Sequence, residues 1–110
     1  MEEREGSWIV LVTVPPDGTG ETLAHALVER RLAACVNRVP GIRSVYRWEG
    51  AVESEREELL IVKTGTALLD RLEETIRDLH PYEVPEMLVL PVRGGSAPYL
   101  DWLASSLEEG

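Results

Sequence analysis

Four segments of the chain combine apolar and β-branched residues, and they predict four β-strands. Residues 8–14 and 59–64 are nearly continuous apolar runs, the pattern of strands covered on both faces. From residue 32 the chain returns to β-branched positions on either side of Pro40-Gly41, which predicts a strand with a kink or bulge, and Glu49-Gly50 is the predicted tip of a hairpin. Residues 87–92 predict the fourth strand, and the proline within it indicates an edge position or a bulge.

Apolar residues at helical spacing predict three helices between and after these strands. The first runs from about residue 20 to 31, with Thr19 as its N-cap. The second ends at His80, because a proline follows. The third covers about residues 98–107, with Tyr99, Trp102 and Leu103 as its apolar side. The order β-α-β-β-α-β plus a terminal helix indicates an α+β, ferredoxin-like split βαβ fold, with an antiparallel sheet and two helices on one face.

The long hairpin near residues 49–50 can be aligned in two registers. A two-residue loop at Glu49-Gly50 pairs Arg43 with Arg56. A three-residue loop, with Gly50 left-handed in a bulge, pairs Arg43 with Glu55 instead. Opposite charges across two strands gain roughly 0.2–1 kcal/mol, whereas like charges are unfavourable. The three-residue loop is therefore the predicted one.

The hairpin carries large apolar side chains towards its tip. One small sheet cannot easily cover them all, and exposed strand edges are a liability unless they are paired. We therefore predict that the tip packs on another copy of the chain. The residues predicted at this contact are Tyr46, Trp48, Glu49, Gly50 and Val52.

Length and charge narrow the possible functions. The chain has 110 residues, which suits one domain, predicted over residues 8–107 after a flexible N-terminus at residues 1–7. With 20 acidic and 11 basic residues, the net charge is -9, which disfavours nucleic acid and anionic membranes as partners. No nucleophile elbow, phosphate loop or dinucleotide fingerprint occurs, so neither enzymatic activity nor an organic cofactor is expected. A single cysteine and an acidic N-terminus without a signal-like apolar run predict a cytoplasmic location.

Two side chains are candidate metal ligands. The imidazole of His80 would suit Cu(II) or Zn(II). Alternatively, it ends the helix by bonding a terminal carbonyl. The thiolate of Cys35 would bind soft metals, although a free cysteine that follows two alanines more often packs in the interior.

Acidic residues cluster on the second half of the hairpin. Glu53, Glu55 and Glu57 fall on one strand face and could gather hard cations. Arg43 and Arg47 on the opposite strand favour a simpler interpretation, in which cross-strand ion pairs occupy a solvated face. A further group could hold a ligand or an intersubunit salt bridge in a cleft: Lys63, Tyr82, Glu83 and Glu86.

Five stretches together resemble the CutA family of divalent-ion tolerance proteins. They are LAACVN at 32–37, PGIRSVYRWEG at 40–50, LLIVKT at 59–64, HPYEVPE at 80–86 and YLDWL at 99–103. The resemblance implies a ferredoxin-like subunit in a tight homotrimer with hairpins shared between neighbours, and a link to tolerance of copper and other divalent cations. A looser similarity to PII-type signalling trimers implies an alternative, in which clefts between subunits bind a small effector or a partner protein.

The resemblance also bears on the strength of metal binding. Some members of the family that ligate copper have a cysteine in the first strand and two successive histidines before the proline. In this chain Val12, Leu79 and His80 occupy those places. Two of the three possible ligands are therefore missing, and the resemblance implies only weak copper binding.

Overall fold

A computed structural model of the chain describes residues 1–109. The strands are β1 (Glu2–Glu3), β2 (Ser7–Val14), β3 (Cys35–Trp48), β4 (Ala51–Gly65), β5 (Leu88–Pro91) and β6 (Gly94–Gly95). The helices are α1 (Thr19–Glu29), α2 (Leu69–Leu79) and α3 (Ala97–Ser105), and a 3-10 turn at Thr66–Leu68 precedes α2. Across the described residues, we find no helix with the length and apolar character needed to cross a membrane.

Four strands form an antiparallel sheet in the order β3-β4-β2-β5. Strands β2 and β4 lie in the middle, while β3 and β5 form the edges. The predicted α+β, ferredoxin-like arrangement is confirmed. Pro91 lies in the edge strand β5, which has β2 as its pairing neighbour in the sheet, so the predicted edge position is also correct.

The core lies between one face of this sheet and the helices α1 and α2. Successive side chains of a strand alternate between its two faces, so every second residue of β2 and β4 points into the core. The sheet contributes Val10, Val12, Val14, Leu60 and Val62, and the helices contribute Leu23, Leu27, Leu72 and Ile76.

The opposite face of the sheet, called the outer face below, carries the alternate residues of the same strands. Its apolar members are Ile9, Leu11, Val39, Leu59, Ile61, Leu88 and Leu90. These side chains are all partly or largely exposed. The outer face is therefore an apolar sheet surface that a single subunit leaves accessible to water.

The register at the hairpin tip differs from the prediction. The loop has two residues, Glu49 and Gly50, with φ of 48° and 81°. Positive φ at both positions is the mark of a type I′ turn, whose twist matches that of the flanking strands. The predicted three-residue loop is wrong, because Arg43 lies opposite Arg56. The matching twist outweighs the small cost of two like charges on an exposed strand pair.

A β-bulge explains this difference. Pro40 and Gly41 together lie opposite the single residue Glu58, as predicted for a bulge at this point. The pairing register of β3 and β4 before the bulge, if it continued to the tip, would place Arg43 opposite Glu55. The extra residue moves every later pair by one position, which leaves only two residues for the turn.

Helix α1 begins differently from the prediction. Thr19 is its first residue, and Gly18 before it has a φ of 96°. The carboxylate of Asp17 accepts hydrogen bonds from the Thr19 backbone N–H at 3.1 Å and from its hydroxyl at 2.6 Å. Thr19 as the side-chain cap is therefore wrong, because an acidic residue two positions earlier supplies the acceptor.

Helix α3 buries a different set of residues from the one predicted. Leu103 is buried as expected, and Leu100 joins it. Tyr99 and Trp102 are exposed and contact each other, with ring centroids 5.4 Å apart. The two aromatic residues are three positions apart and therefore share a side of the helix, but that side faces away from the core.

The N-terminal seven residues include some regular structure. Strand β1 pairs with β6, Ser7 already belongs to β2, and Arg4 forms an ion pair with Asp101 at 2.9 Å. These contacts describe positions rather than motion, so the flexibility of residues 1–7 stays a prediction.

Candidate functional site

The hairpin and the segment at residues 80–86 enclose a cavity of about 530 Å³, called the hairpin pocket below. Strand β3 and the segment after α2 contribute most of the lining, and β2 and β4 contribute Thr13 and Glu57. The aromatic residues that line it are Tyr46, Trp48 and Tyr82, and the acidic ones are Glu57, Glu83 and Glu86.

The shifted register of the hairpin creates the acidic character of this pocket. Tyr46 lies opposite Glu53 and on the same face of the hairpin as Glu57. A shift of one residue exchanges the two faces of a strand, so Arg43 and Arg47 point away from these glutamates. The predicted ion pairs between the arginines and the glutamate row are therefore wrong, and the glutamates lie opposite Ile42, Ser44 and Tyr46 instead.

Glu57 is buried, with 5% of its surface exposed, and Tyr82 holds it in place. The Tyr82 hydroxyl donates a hydrogen bond of 2.9 Å to Oε2 of Glu57. Loss of solvation, and then this bond to the carboxylate, raise the pKa of Tyr82 well above its ordinary value. Tyr82 therefore keeps its proton and remains a donor to Glu57 throughout the neutral pH range.

Tyr46 experiences the same acidic surroundings. Partial loss of solvation raises the pKa of its phenol, and the charges of Glu55, Glu57 and Glu53 raise it further. The side chain of Tyr46 is 41% exposed, so its ring borders the pocket without being enclosed. The pocket is thus a region of negative potential with aromatic walls.

His80 connects the end of α2 to the end of β2. Its Nδ1 accepts a hydrogen bond of 3.1 Å from the backbone N–H of Tyr82, so its Nε2 carries the proton and donates to the carbonyl of Thr13 at 2.7 Å. The predicted bond to a carbonyl is present, but the carbonyl belongs to β2 and not to the helix. In this geometry neither ring nitrogen has a lone pair available to a metal ion.

Cys35 and Lys63 lie opposite each other at the far end of the sheet. The ammonium of Lys63 is 3.9 Å from the Cys35 sulfur and donates a hydrogen bond to the side chain of Asn37. Cys35 is partly exposed, so the expectation that it packs in the interior is wrong. Lys63 is six residues along β4 from Glu57, roughly 20 Å at the rise of a strand. The structure thus brings Tyr82, Glu83 and Glu86 together and separates Lys63 from them.

The two candidate metal ligands do not meet within one subunit. His80 adjoins Thr13, which pairs with Leu59, whereas Cys35 pairs with Lys63. Those two positions of β4 are roughly 13 Å apart. Among residues 1–109, no three His, Cys, Asp or Glu side chains are arranged to hold a metal ion. The residues of a single subunit therefore do not fit a closed metal site, and ligation by His80 or Cys35 stays a prediction.

The residues predicted to contact other subunits lie on the surface of the hairpin. Trp48 is 47% exposed, Val52 is 66% exposed, and the turn residues Glu49 and Gly50 are exposed as well. The contact itself stays a prediction. The bond between Glu57 and Tyr82 was not predictable from the sequence, because 25 residues separate them and only the observed register places Glu57 and Tyr46 on the same face of the hairpin.

Comparison with known proteins finds close relatives. The chain is 54% identical over 95 residues to the divalent-cation tolerance protein CutA of Thermus thermophilus, covering 86% of this chain and 92% of that protein. It is 52% identical over 103 residues to the chloroplastic protein CutA 1 of rice, covering 94% of this chain and 58% of that protein. The chain thus spans little more than half the length of this plant relative and 55% of its Arabidopsis thaliana counterpart.

Solved structures match across almost the whole chain. The Thermus thermophilus structure has a TM-score of 0.90 at 50% identity, covering 93% of this chain and 99% of that one. The CutA1 structure from Oryza sativa has a TM-score of 0.93 at 50% identity, covering 96% of each chain. This agreement places the observed fold among experimentally determined structures of the same architecture.

The names of the relatives overturn the expected cytoplasmic location. Both plant relatives are called chloroplastic, and the similar structure from Archaeoglobus fulgidus is called a periplasmic protein. A cysteine count and a charge balance describe the folded domain, whereas a separate targeting segment sets the compartment. The expectation was therefore drawn from features that do not determine location, and it is wrong.

The family comparison covers the stretches on which the resemblance rests. The model of the CutA1 divalent ion tolerance protein family matches residues 8–106, which include the hairpin, the 80–86 segment and α3. The Thermus thermophilus relative is named a divalent-cation tolerance protein and the rice relative is named protein CutA 1, and neither name is that of an enzyme. The predicted resemblance is confirmed, and the chain belongs to the CutA1 divalent ion tolerance protein family.

Proposed function

We propose that this protein is a homotrimeric divalent-cation tolerance protein that binds divalent metal ions such as copper weakly and catalyses no reaction. The observation that carries the proposal is the family match across residues 8–106. A net charge of -9 supports it, because such a surface raises the local concentration of cations.

The outer face and the hairpin support assembly into a trimer. The outer face exposes aliphatic side chains from β2, β4 and β5, and the hairpin exposes Tyr46, Trp48 and Val52. Contiguous apolar surface of this kind marks contacts with other chains, because burying it removes apolar area from water. The sheet edges at β3 and β5 also have unpaired backbone groups that a neighbour could complete.

The ligand arrangement supports weak metal binding. Val12 is fully buried in the core and has no donor atom, and Leu79 is likewise apolar. His80 would have to give up its bond to Thr13 or its bond from Tyr82 before it could ligate a metal. Leaving a buried polar group unpaired costs roughly 1–3 kcal/mol, and that cost is subtracted from the binding free energy.

Calorimetric titration with Cu(II) and Zn(II), together with mass measurement by light scattering, tests this proposal. We expect the mass of a trimer and metal binding with a dissociation constant in the micromolar range or weaker. Comparing Cys35→Ser and His80→Ala with the unaltered protein identifies the ligands, provided each variant retains the same mass. A folded monomer at micromolar concentration would contradict the assembly, and an intact trimer that binds neither metal below millimolar concentration would contradict the metal function.

A second candidate function has one specific observation in its favour. The hairpin pocket has a volume of about 530 Å³, within the range of small-molecule sites, and two of its lining residues, Tyr46 and Trp48, are among those predicted to contact neighbouring subunits. An effector-binding or adaptor trimer of the PII type would use such a cleft. If the titration and light scattering find an intact trimer that binds neither Cu(II) nor Zn(II), this effector-binding function is favoured over the metal function.

A further inference from the structure

We propose that the hairpin pocket binds a small organic cation, an amine or a guanidinium compound, with Glu57 as its counter-ion. The proposal does not rest on metal binding by His80 or Cys35, which lie outside the lining of this pocket. It concerns a ligand opposite in charge to nucleotides and other phosphorylated effectors.

The hairpin pocket is negatively charged. Glu57, Glu83 and Glu86 line it, and none of its lining residues among positions 1–109 is a lysine or an arginine. The two arginines of the neighbouring strand, Arg43 and Arg47, point to the other face of the hairpin because of the bulge. An anion entering the pocket would therefore meet only like charge, whereas a cation would be attracted.

The second step is the position of Glu57. It is 95% buried, and its Oε2 accepts the hydrogen bond from Tyr82. Its other oxygen accepts no hydrogen bond from the described residues, and it is not completely buried, because every completely buried side-chain oxygen among them has a partner. A carboxylate so far removed from water gains strongly from a positively charged partner. The phenol of Tyr82 occupies one oxygen of Glu57, and the other oxygen can accept a hydrogen bond from a ligand.

The third step is the aromatic wall. The rings of Tyr46, Trp48 and Tyr82 border the same cavity as Glu57. The face of an aromatic ring attracts ammonium and guanidinium groups within about 6 Å of its centre. A divalent metal ion prefers several oxygen or nitrogen ligands and gains little from aromatic faces. Aromatic rings and a buried carboxylate that line one cavity, in a space much larger than an ion, therefore favour an organic cation with an apolar body.

A series of probes of equal shape tests the proposal on the unaltered, assembled protein. Benzylammonium, benzyl alcohol and benzoate share one ring and differ in charge, and ¹H–¹⁵N NMR titration follows the Trp48 indole N–H and the amides of residues 82–86. We expect saturable shifts with benzylammonium in the millimolar range or below, and at least tenfold weaker binding of the alcohol and of benzoate. Equal binding of all three probes, or no saturable binding of benzylammonium, would overturn the proposal. Benzylammonium would also show no saturable binding if a neighbouring subunit filled the pocket, and that case likewise overturns the proposal.

Two matched variants test the role of Glu57. Glu57→Gln keeps the volume and an oxygen that can accept from Tyr82, and it removes the charge. Glu55→Gln removes one charge from the same strand face but lies outside the pocket lining. We expect a loss of affinity for benzylammonium of about tenfold or more in Glu57→Gln and about twofold or less in Glu55→Gln, at unchanged mass by light scattering. Equal losses of affinity in the two variants would mean that the whole acidic surface attracts the probe, and would contradict Glu57 as the counter-ion.

Discussion

Glu57 and Tyr82 lie 25 residues apart in the chain and share one hydrogen bond beneath the hairpin. Two consecutive hydrogen bonds link His80, Tyr82 and Glu57. The Nδ1 of His80 accepts from the backbone N–H of Tyr82, and the hydroxyl of Tyr82 donates to Glu57. His80 in turn donates to the carbonyl of Thr13. This chain of bonds fixes the 80–86 segment against β2 and β4, and so it determines the shape of the hairpin pocket.

Tyr82 should make stability depend on pH in the alkaline range. A tyrosine of the unfolded chain titrates near pH 10, and the pKa of Tyr82 in the folded protein is higher. Between the two values the unfolded chain releases a proton that the folded protein keeps. The stabilising contribution of Tyr82 is therefore complete below about pH 10 and is lost as the pH rises above it.

Denaturant unfolding between about pH 8 and about pH 11 checks this dependence. Tyr82→Phe should lose stability less steeply with rising pH than the unaltered protein does. Tyr99→Phe is the control, because Tyr99 lies exposed on α3 and its hydroxyl makes no hydrogen bond within residues 1–109. Parallel pH curves for Tyr82→Phe and the unaltered protein would refute the prediction.

Gly50 should tolerate only residues that accept positive φ. Its φ is 81°, and a Cβ at this position would meet no atom within 4 Å, so a substitution costs backbone strain and causes no clash. Gly50→Val should lower the free energy of unfolding by about 1–3 kcal/mol. Gly50→Asn should cost much less, because asparagine enters this region more readily. Equilibrium urea unfolding measures both, and equal stabilities of the two variants would rule out strain as the cause.

At the scale of elements, the bulge in β3 has the largest consequence. The sequence predicts it correctly, because Pro40 lacks a backbone donor and Gly41 accepts the positive φ of 74° found there. Charge and apolar pairing across the two strands nevertheless predict the wrong alignment of the tip, because they leave out the residue that the bulge adds. A bulge of one residue shifts the register, and the register decides which face carries Glu57 and which carries Arg43.

The start of α1 makes a second pH-dependent prediction. The hydrogen bonds from the side chain and then the backbone of Thr19 lower the pKa of Asp17. A group with a lowered pKa contributes stability above the pKa of the unfolded chain, about 3.9 for aspartate, and this contribution is lost as the pH falls through the folded value. Asp17→Ala should therefore be less stable than the unaltered protein at neutral pH, with the difference shrinking in acid.

Thermal unfolding at about pH 7 and about pH 2 compares the two proteins. Glu29→Ala provides the control, because it removes an exposed carboxylate from the opposite end of α1. It should show no such loss at neutral pH. A difference between Asp17→Ala and the unaltered protein that stays constant with pH would contradict the capping role of the charged carboxylate.

At the scale of the whole molecule, the two faces of the sheet differ in what covers them. Helices α1 and α2 bury one face, whereas the outer face keeps Ile9, Leu11, Leu59 and Ile61 partly exposed. Residues of β2 and β4 alternate between the two faces of the sheet, but both sets are apolar, so the sequence shows continuous apolar runs. Such runs indicate a strand covered on both faces, and the second cover is absent from the single subunit.

Ile61→Glu should therefore break the assembly. A charge at the centre of the outer face would have to be buried without a partner in any trimer that covers this face. Val28→Glu is the matched control, because Val28 lies 42% exposed on α1. Light scattering should find a smaller particle for Ile61→Glu and the unaltered mass for Val28→Glu. An unchanged mass for Ile61→Glu would show that the outer face is not the contact.

The sequence by itself determined the strands, the helices and their order, because periods of 2 and 3.6 residues are local properties of the chain. It also determined the bulge and the family. The bulge depends on two adjacent residues, and the family is identified from five short stretches, each continuous in sequence. Only the tertiary structure decided the register at the tip and the hydrogen bonds of Glu57 and His80. The bond from His80 to Thr13 spans 67 residues, and no local pattern encodes such a pairing. It forms because the sheet order places the end of α2 beside the end of β2, which depends on the free energy of the whole fold.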